Sequence, residues 1–403
     1  MTDILPPSDD YTAGDLVVDH PHRELVKNRI RDIRPLLDVT EVAHSEALGL
    51  TRLHLEGVSA FGASKGLAED DAAAIELVID ELRRGFAADF GGWVPEMAPD
   101  PTMTAIVGYP HTKPMFFTTD LTPAPASLAP IADSTLGAGV RVAVLDTGLV
   151  LHPALKGHAS EAHDCSDENN DDNKDDDKDP VMAWAGHATF VAGLIAQQAP
   201  GCEIVVHRAL KSNGRATNWD TAVALAELAD DKEGYAVVNL SLGCRLGGPD
   251  GPLALRRAVA RHGRHTLLVA AAGNHGASAM PTTPVWPAAF PGVTAVGAYA
   301  LDDGHQELSQ ITPLLPWVDC VAHGSGVTST YLSDVTLTID NQPLAFTGYA
   351  TWSGTSFAAA NVSGAVAAAL RPGERPAKTL ERLLGDSGSG VSRFSLPAAG
   401  HAG

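Results

Sequence analysis

The sequence predicts an α/β protein with a doubly wound, mainly parallel sheet, preceded by a smaller α+β domain of the ferredoxin-like kind. Three observations support this. From residue 136 onward, apolar strands alternate with helical stretches, the pattern of successive βα units. The runs Val205-Val206, Val237-Val-Asn-Leu240 and Leu267-Leu-Val269 lack strict alternation, as parallel strands covered on both faces do. Ahead of them, Leu121-Thr-Pro-Ala-Pro-Ala-Ser-Leu-Ala-Pro130 reads as a linker, because its prolines favour extended backbone over helix.

Residues 1–14 are polar with paired prolines and are expected to be disordered. Residues 15–110 form the small domain. A strand at Leu16 to Val18 leads into a helix from His22 to Ile33, and apolar runs follow at Leu37 to Ala43 and Leu50 to Leu55. A second helix, Ala68 to Phe86, has apolar spacing at Ala73, Ile75, Leu77, Val78 and Leu82, and a strand at Met103 to Val107 closes the set. The order strand, helix, strand, strand, helix, strand suits a ferredoxin-like sandwich. Residues 111–135 contain the linker.

The large domain spans 136–370. Its strands are expected at 140–146, 203–210, 236–242, 266–271 and 293–299, and its helices at His187 to Gln197, 217–230 and 252–262. A hairpin, Val335 to Ile339 with Leu344 to Phe346 around Asp340-Asn-Gln-Pro343, is placed at the rim. Residues 371–403 hold one short helix near Ala377 to Leu384 and a tail without assigned chemistry.

Composition narrows the function. A 403-residue chain that is 44% hydrophobic can bury a large core. Its net charge of −21 argues against a nucleic-acid partner and favours solubility. The start has neither the basic residues nor the apolar run of a signal peptide, and no apolar stretch reaches membrane-spanning length, so a cytoplasmic protein without a membrane partner is expected. Cys165, Cys202, Cys244 and Cys320 include no Cys-x-x-Cys pair, so they carry no zinc or redox signature and are read as buried free thiols.

The chemistry centres on Thr351-Trp-Ser-Gly-Thr-Ser356-Phe-Ala-Ala-Ala-Asn-Val-Ser-Gly364, a polar turn entering a helix of small apolar residues. A serine there could be only an N-cap. Two other segments favour a nucleophile. Asp146 ends the apolar run Val140-Arg-Val-Ala-Val-Leu-Asp146, and His187 starts a second small-residue helix, Gly186-His187-Ala-Thr-Phe-Val-Ala-Gly193. Alone, each has an ordinary structural explanation as a turn former or a core histidine. Together they supply a nucleophile, a base to take its proton and an acid to orient the base.

Asp146-Thr-Gly148, Gly186-His187-x-Thr-x-Val-Ala-Gly193, Ala271-Ala-Gly-Asn274-His-Gly276 and Ser353-Gly-Thr-Ser356-x-Ala-Ala occur in this order. On these four motifs the chain resembles the subtilisin-like serine proteases, the subtilases, over roughly residues 131 to 370. The resemblance implies a subtilisin-like fold and a serine endopeptidase that cleaves peptide or protein substrates through an acyl-enzyme on Ser356. His187 would be the general base, Asp146 its orienting acid and Asn274 the oxyanion donor. Ser241, Leu242 and Gly243 correspond to the edge that pairs with substrate, with Ala271, Ala272 and Gly273 facing them. Small residues on both walls leave room for a side chain without specifying which. The small domain stands where many subtilases carry a pro-domain, so the chain's own N-terminal domain is a candidate occupant of the cleft.

A second reading is a catalytically silent subtilase fold that binds peptides or regulates a partner. It draws on Ala188 where Gly is usual and Ala360 where Pro is usual; the chain also has Phe190 where a second His is frequent and Asn361 where His is common. No cofactor is required. Asp171, Asn173, Asp175, Asp177 and Asp179 alternate within the acidic run 164–179 and are Ca²⁺-ligand candidates, but the glycine and terminal Glu of an EF-hand are missing and a solvated loop is the preferred reading.

Overall fold

The structure is a computed structural model, and it describes residues 11–33, 37–67, 71–106, 121–162, 182–245, 250–278, 281–339 and 342–394. The chain divides into two compact units. One is drawn from Met1–Met103, Ala216–Glu227 and Leu246–Arg261, the other from Thr104–Arg215, Leu228–Arg245 and His262–Gly403.

In chain order the first elements are β1 (Tyr11–Asp19), α1 (Arg23–Ile33), β2 (Asp38–Ser45), β3 (Leu50–Glu56), α2 (Val58–Ser64), α3 (Asp71–Asp89) and β4 (Met97–Ala105). There follow β5 (Ala124–Pro125), β6 (Arg141–Asp146), β7 (Ala159–Glu161), α4 (His187–Gln198), β8 (Glu203–Arg208), β9 (Arg215–Thr217) and α5 (Asn218–Leu228). Next come β10 (Val237–Leu240), β11 (Leu242–Gly243), α6 (Leu253–Arg261), β12 (Leu267–Ala271), β13 (Val293–Asp302), β14 (His305–Leu308) and β15 (Cys320–His323). The last are β16 (Val327–Ile339), β17 (Gln342–Trp352), α7 (Thr355–Ala369), α8 (Pro376–Leu384) and β18 (Val391–Arg393).

In the first unit, β1 pairs antiparallel with β3 and β4, and β2 with β3. With α1 and α3 this is the ferredoxin-like arrangement; the short α2 is the one element the sequence pattern did not reveal. Leu16, Val18, Leu53 and Leu55 come from one face of the sheet, since strand side chains alternate. They meet Val26 and Ile30 of α1 and Ile75, Val78, Ile79, Leu82 and Phe86 of α3, spaced three and four apart as on the buried stripe of a helix.

The same unit includes α5 and α6. Arg257 of α6 donates to Asp19 (2.7 Å) and the Leu48 carbonyl (3.0 Å), and also pairs with Glu96. Asp100, fully buried, accepts from the Trp219 backbone N–H (2.8 Å) and from Asn218 Nδ2 (3.2 Å) at the start of α5, so it caps that helix.

Burial pushes the Asp100 carboxyl up from 3.8 to about 7. An acid with a raised folded-state pKa contributes full stability below its unfolded value and loses it as pH rises toward the folded one, here between about 4 and 7. The shift corresponds to roughly 4 kcal/mol. The unfolding midpoint of this unit should therefore fall across that window, and Asp100→Asn should flatten the dependence. A wild-type midpoint independent of pH from 4 to 7 would exclude this role.

In the second unit the sheet runs β18-β15-β13-β12-β10-β6-β8-β7, with β14 added beside β13. From β15 to β7 every neighbouring pair is parallel; β18 and β14 pair antiparallel. This is the mainly parallel sheet that the apolar runs predicted. Val142 and Val144 of β6, Val206 of β8, Val237 of β10 and Val269 of β12 belong to the core that encloses α4 and α7.

The hairpin is longer than predicted, and its base is not a rim decoration. β16 and β17 pair from Val327↔Trp352 to Ile339↔Gln342, and Tyr331 and Trp352 are buried with Phe190 and Phe357. Ser329 Oγ donates to the Phe190 carbonyl (2.7 Å) and Thr330 Oγ1 to the Thr189 carbonyl (2.8 Å). A Cβ on Gly193 would lie 2.2 Å from Thr330 Oγ1 and 2.3 Å from Ser329 Oγ, so the glycine allows this contact. Among the described residues no helix is long and apolar enough to cross a membrane.

Candidate active site

Asp146 is the last residue of β6, His187 the first of α4, and Ser356 the second of α7; all three are fully buried. His187 Nδ1 lies 2.8 Å from Asp146 Oδ1 and 2.9 Å from Oδ2. A carboxylate only accepts, so the proton sits on Nδ1 and leaves Nε2 with its lone pair. Asp146 Oδ1 also accepts the Thr147 backbone N–H (2.7 Å), and Thr147 Oγ1 accepts the N–H of Ala188 (3.2 Å), which ties the strand end to the helix start. The imidazole packs edge-on to Trp352 (5.8 Å between centroids) and against Phe357 (5.6 Å). Phe190 stacks on Phe357 at 4.4 Å, so the departure at this position adds a ring to an apolar wall.

The Ser356 hydroxyl donates to the carbonyl oxygen of Ile106 (2.7 Å) and lies 3.2 Å from the Ser241 carbonyl. Among the described residues His187 Nε2 has no hydrogen-bond partner, although it is buried. The structure thus forms the Asp146–His187 link and leaves the His187–Ser356 link unmade. A hydroxyl has one proton, and a peptide carbonyl holds it here.

Asn274 Nδ2 donates to the same Ile106 oxygen (3.0 Å). Its Oδ1 accepts from the Thr355 backbone N–H (2.8 Å) and Thr355 Oγ1 (3.0 Å), which fixes which end of the amide faces the carbonyl. Thr355 Oγ1 in turn accepts from the N–H of Gly273 (3.1 Å). Gly273 has φ +110°, and a Cβ there would lie 2.7 Å from His275 Nδ1, so the turn that presents Asn274 requires glycine. His275 is buried, with Nε2 2.9 Å from the Thr283 carbonyl, and burial lowers its pKa to about 4, so it is neutral at pH 7 and its Nε2–H braces this turn.

The proposed substrate edge is occupied by the chain itself. Leu242 and Gly243 pair antiparallel with Ala105 and Thr104, the Ile106 N–H donates to the Ser241 carbonyl (3.1 Å), and the Ala105 N–H to the Gly214 carbonyl (2.9 Å). Ser241 therefore contributes its backbone, while its hydroxyl lies 2.8 Å from Asn239 Oδ1 and 3.0 Å from the Ser356 carbonyl. Ala271 packs with Ile106 and Val285. Ala272, the first residue past the end of β12, packs instead with Leu315 and Val318.

Sequence reasoning missed Thr355, Val285 and Ile106. Thr355 lay inside a motif already in view; Val285 and Ile106 carried no signal beyond being apolar. Cys202, Cys244 and Cys320 are buried, and Cys165 lies outside the described residues, as do Asp171, Asn173, Asp175, Asp177 and Asp179. Among the described residues no group of three or more His, Cys, Asp or Glu could hold a metal ion.

Residues 137–384 match the peptidase S8 or subtilase family, and the chain belongs to it. It is 34% identical over 247 residues to the thermophilic serine proteinase of Bacillus sp. strain AK1, a match spanning 58% of this chain and 53% of that protein. To subtilisin BL of Lederbergia lenta it is 33% identical over 245 residues, covering 57% and 76% of the two chains. The crystal structure of fervidolysin from Fervidobacterium pennivorans, a keratinolytic enzyme related to subtilisin, shares the fold with TM-score 0.61 and 19% identity, over 96% of this chain and 58% of that one. The chain thus spans little more than half the length of the AK1 proteinase and of fervidolysin.

Proposed function

We propose that the protein is a serine endopeptidase that hydrolyses peptide bonds through an acyl-enzyme on Ser356. The observation that carries this reading is the convergence of Ser356 Oγ and Asn274 Nδ2 on one peptide carbonyl oxygen, at 2.7 and 3.0 Å, in a strand paired antiparallel with β11. The Asn274 contact puts an amide donor on the oxygen where negative charge would develop, with the serine hydroxyl beside it. Ser356 Oγ attacks the carbonyl carbon while His187 Nε2 takes its proton. Asp146 holds the imidazole through Nδ1–H and stabilises the imidazolium. Asn274 Nδ2 bonds the oxygen as charge develops on it. His187 Nε2, buried and without a hydrogen-bond partner among the described residues, is ready to accept. The segment Thr104 to Ile106, which follows the N-terminal domain, occupies the cleft as a peptide or protein substrate would.

A fluorophosphonate probe should label the wild type at Ser356 and leave Ser356→Ala unlabelled. Absence of Ser356-dependent label would favour the catalytically silent reading. Asn274→Ala should lower kcat by about 10²- to 10³-fold with KM little changed, because its donor matters most to the charged oxygen of the transition state. A KM effect larger than the kcat effect would instead make Asn274 a substrate-binding residue.

A further inference from the structure

An open cavity of about 370 Å³ lies where the last turn of α4 and the middle of α7 meet β13, the end of β15, the start of β16 and the turn ahead of β18. Its volume suits a small molecule, and none of Asp146, His187, Asn274 or Ser356 lines it. Gly364 lets the two helices approach here, since a Cβ on it would lie 2.7 Å from Gln198 Cβ. Leu194, Val327 and Val391, all buried, supply apolar wall. No Lys, Arg, Asp or Glu lines the cavity. The His323 imidazole, stacked on Tyr299 at 5.8 Å between centroids, has its pKa lowered by burial and is neutral at pH 7.

Backbone carbonyls fix the orientation of three amides around this cavity. Gln197 Nε2 faces the carbonyls of Gly193 (3.2 Å) and Thr328 (3.3 Å), and Asn361 Nδ2 donates to that of His323 (2.8 Å). Asn361 Oδ1 is then the end that accepts from Gln198 Nε2, at 3.2 Å. Two acceptors remain, Gln197 Oε1 and Gln198 Oε1, to which no donor bonds among the described residues. Gln198 Nε2 and Asn361 Nδ2 each keep a second hydrogen. A primary carboxamide carries the matching set without charge: two N–H donors and a carbonyl oxygen. An ammonium or a carboxylate would leave water with no opposite charge to meet it, and an alcohol brings one donor for two acceptors. We propose that the cavity is a second ligand site, for a small neutral molecule that carries a primary carboxamide on an apolar body. Its N–H groups bond Gln197 Oε1 and Gln198 Oε1, its carbonyl accepts from Asn361 Nδ2, and its body packs on Leu194, Val327 and Val391. Such a molecule bridges the two helices that begin at His187 and beside Ser356.

The test uses the full chain and cyclohexanecarboxamide as the probe, with binding read by saturation-transfer NMR and calorimetry. A Kd on the order of 1 mM is expected, the scale for a ligand of fragment size. Cyclohexanecarboxylate and cyclohexylammonium, charged at the head, should bind at least about tenfold more weakly. Gln198→Met keeps the length of the side chain, removes the acceptor and should weaken binding of the carboxamide by about fivefold or more. Ala365→Leu extends a side chain of α7 into the cavity and should abolish binding. No binding at about 10 mM carboxamide, an affinity for the ammonium or the carboxylate equal to that for the amide, or an unchanged affinity in Ala365→Leu would each overturn the proposal. The last outcome would place the probe elsewhere on the molecule. Should Ala365→Leu fail to fold, Gln198→Met decides, because its side chain is exposed and its replacement leaves the core intact; unchanged affinity in that variant overturns the proposal equally.

Discussion

Ser356→Ala is expected to lower turnover of a peptide substrate by on the order of 10⁶, the scale of loss in the homologous site of subtilisin. The hydroxyl is the only atom that changes, and alanine fits the fully buried position at the start of α7 without strain. Stability should move by about 1 kcal/mol, the ordinary net worth of one hydrogen bond. Asn274 and the strand pairing at Leu242 and Gly243 survive, so peptide affinity and a small residual rate should persist. In the proposed mechanism Ser356 and His187 act as one unit, so His187→Ala added to Ser356→Ala should cost almost nothing further. Turnover within tenfold of wild type in Ser356→Ala would require a nucleophile other than this serine.

The parts of this site that were legible in the sequence are those whose chemistry demands particular residue types. An acid, an imidazole, an amide and a hydroxyl, each at the end of a buried element, are an unusual combination, and Asp146, His187, Asn274 and Ser356 stood out for that reason. The parallel strands were legible because burial on both faces leaves continuous apolar runs such as Leu267-Leu-Val269. Ile106 was not, since its part in the site is played by a carbonyl oxygen, which every residue has. Val285 packs with Ile106 and Ala271 because of where it lies, and nothing in its type marked it. The base of the hairpin was hidden for another reason. Thr328, Ser329 and Thr330 are polar and form no apolar run, yet Ser329 and Thr330 direct their hydroxyls to α4 carbonyls, so polar residues line a buried contact. The grouping of α5 and α6 with the first unit depends on Asp100 and Arg257, whose partners lie more than a hundred positions away.

Asp146→Asn should be nearly as damaging as loss of the nucleophile, with kcat falling by about 10⁴ while KM stays within a few-fold. The carboxylate accepts from His187 Nδ1 through both oxygens, and its Oδ1 also accepts the Thr147 N–H. An amide has one oxygen for these two donors. With that oxygen on Thr147, the amide nitrogen faces His187 Nδ1, which must then accept, so the imidazole proton moves to Nε2. In that tautomer Nε2 cannot take the Ser356 proton. Asp146, His187 and Ser356 are all fully buried. Labelling by a fluorophosphonate should slow in parallel with kcat, since both reactions need the same proton transfer. A tenfold or smaller loss in both assays would mean that the imidazole keeps its working tautomer without the acid, and Asp146 would then be a packing residue at the end of β6.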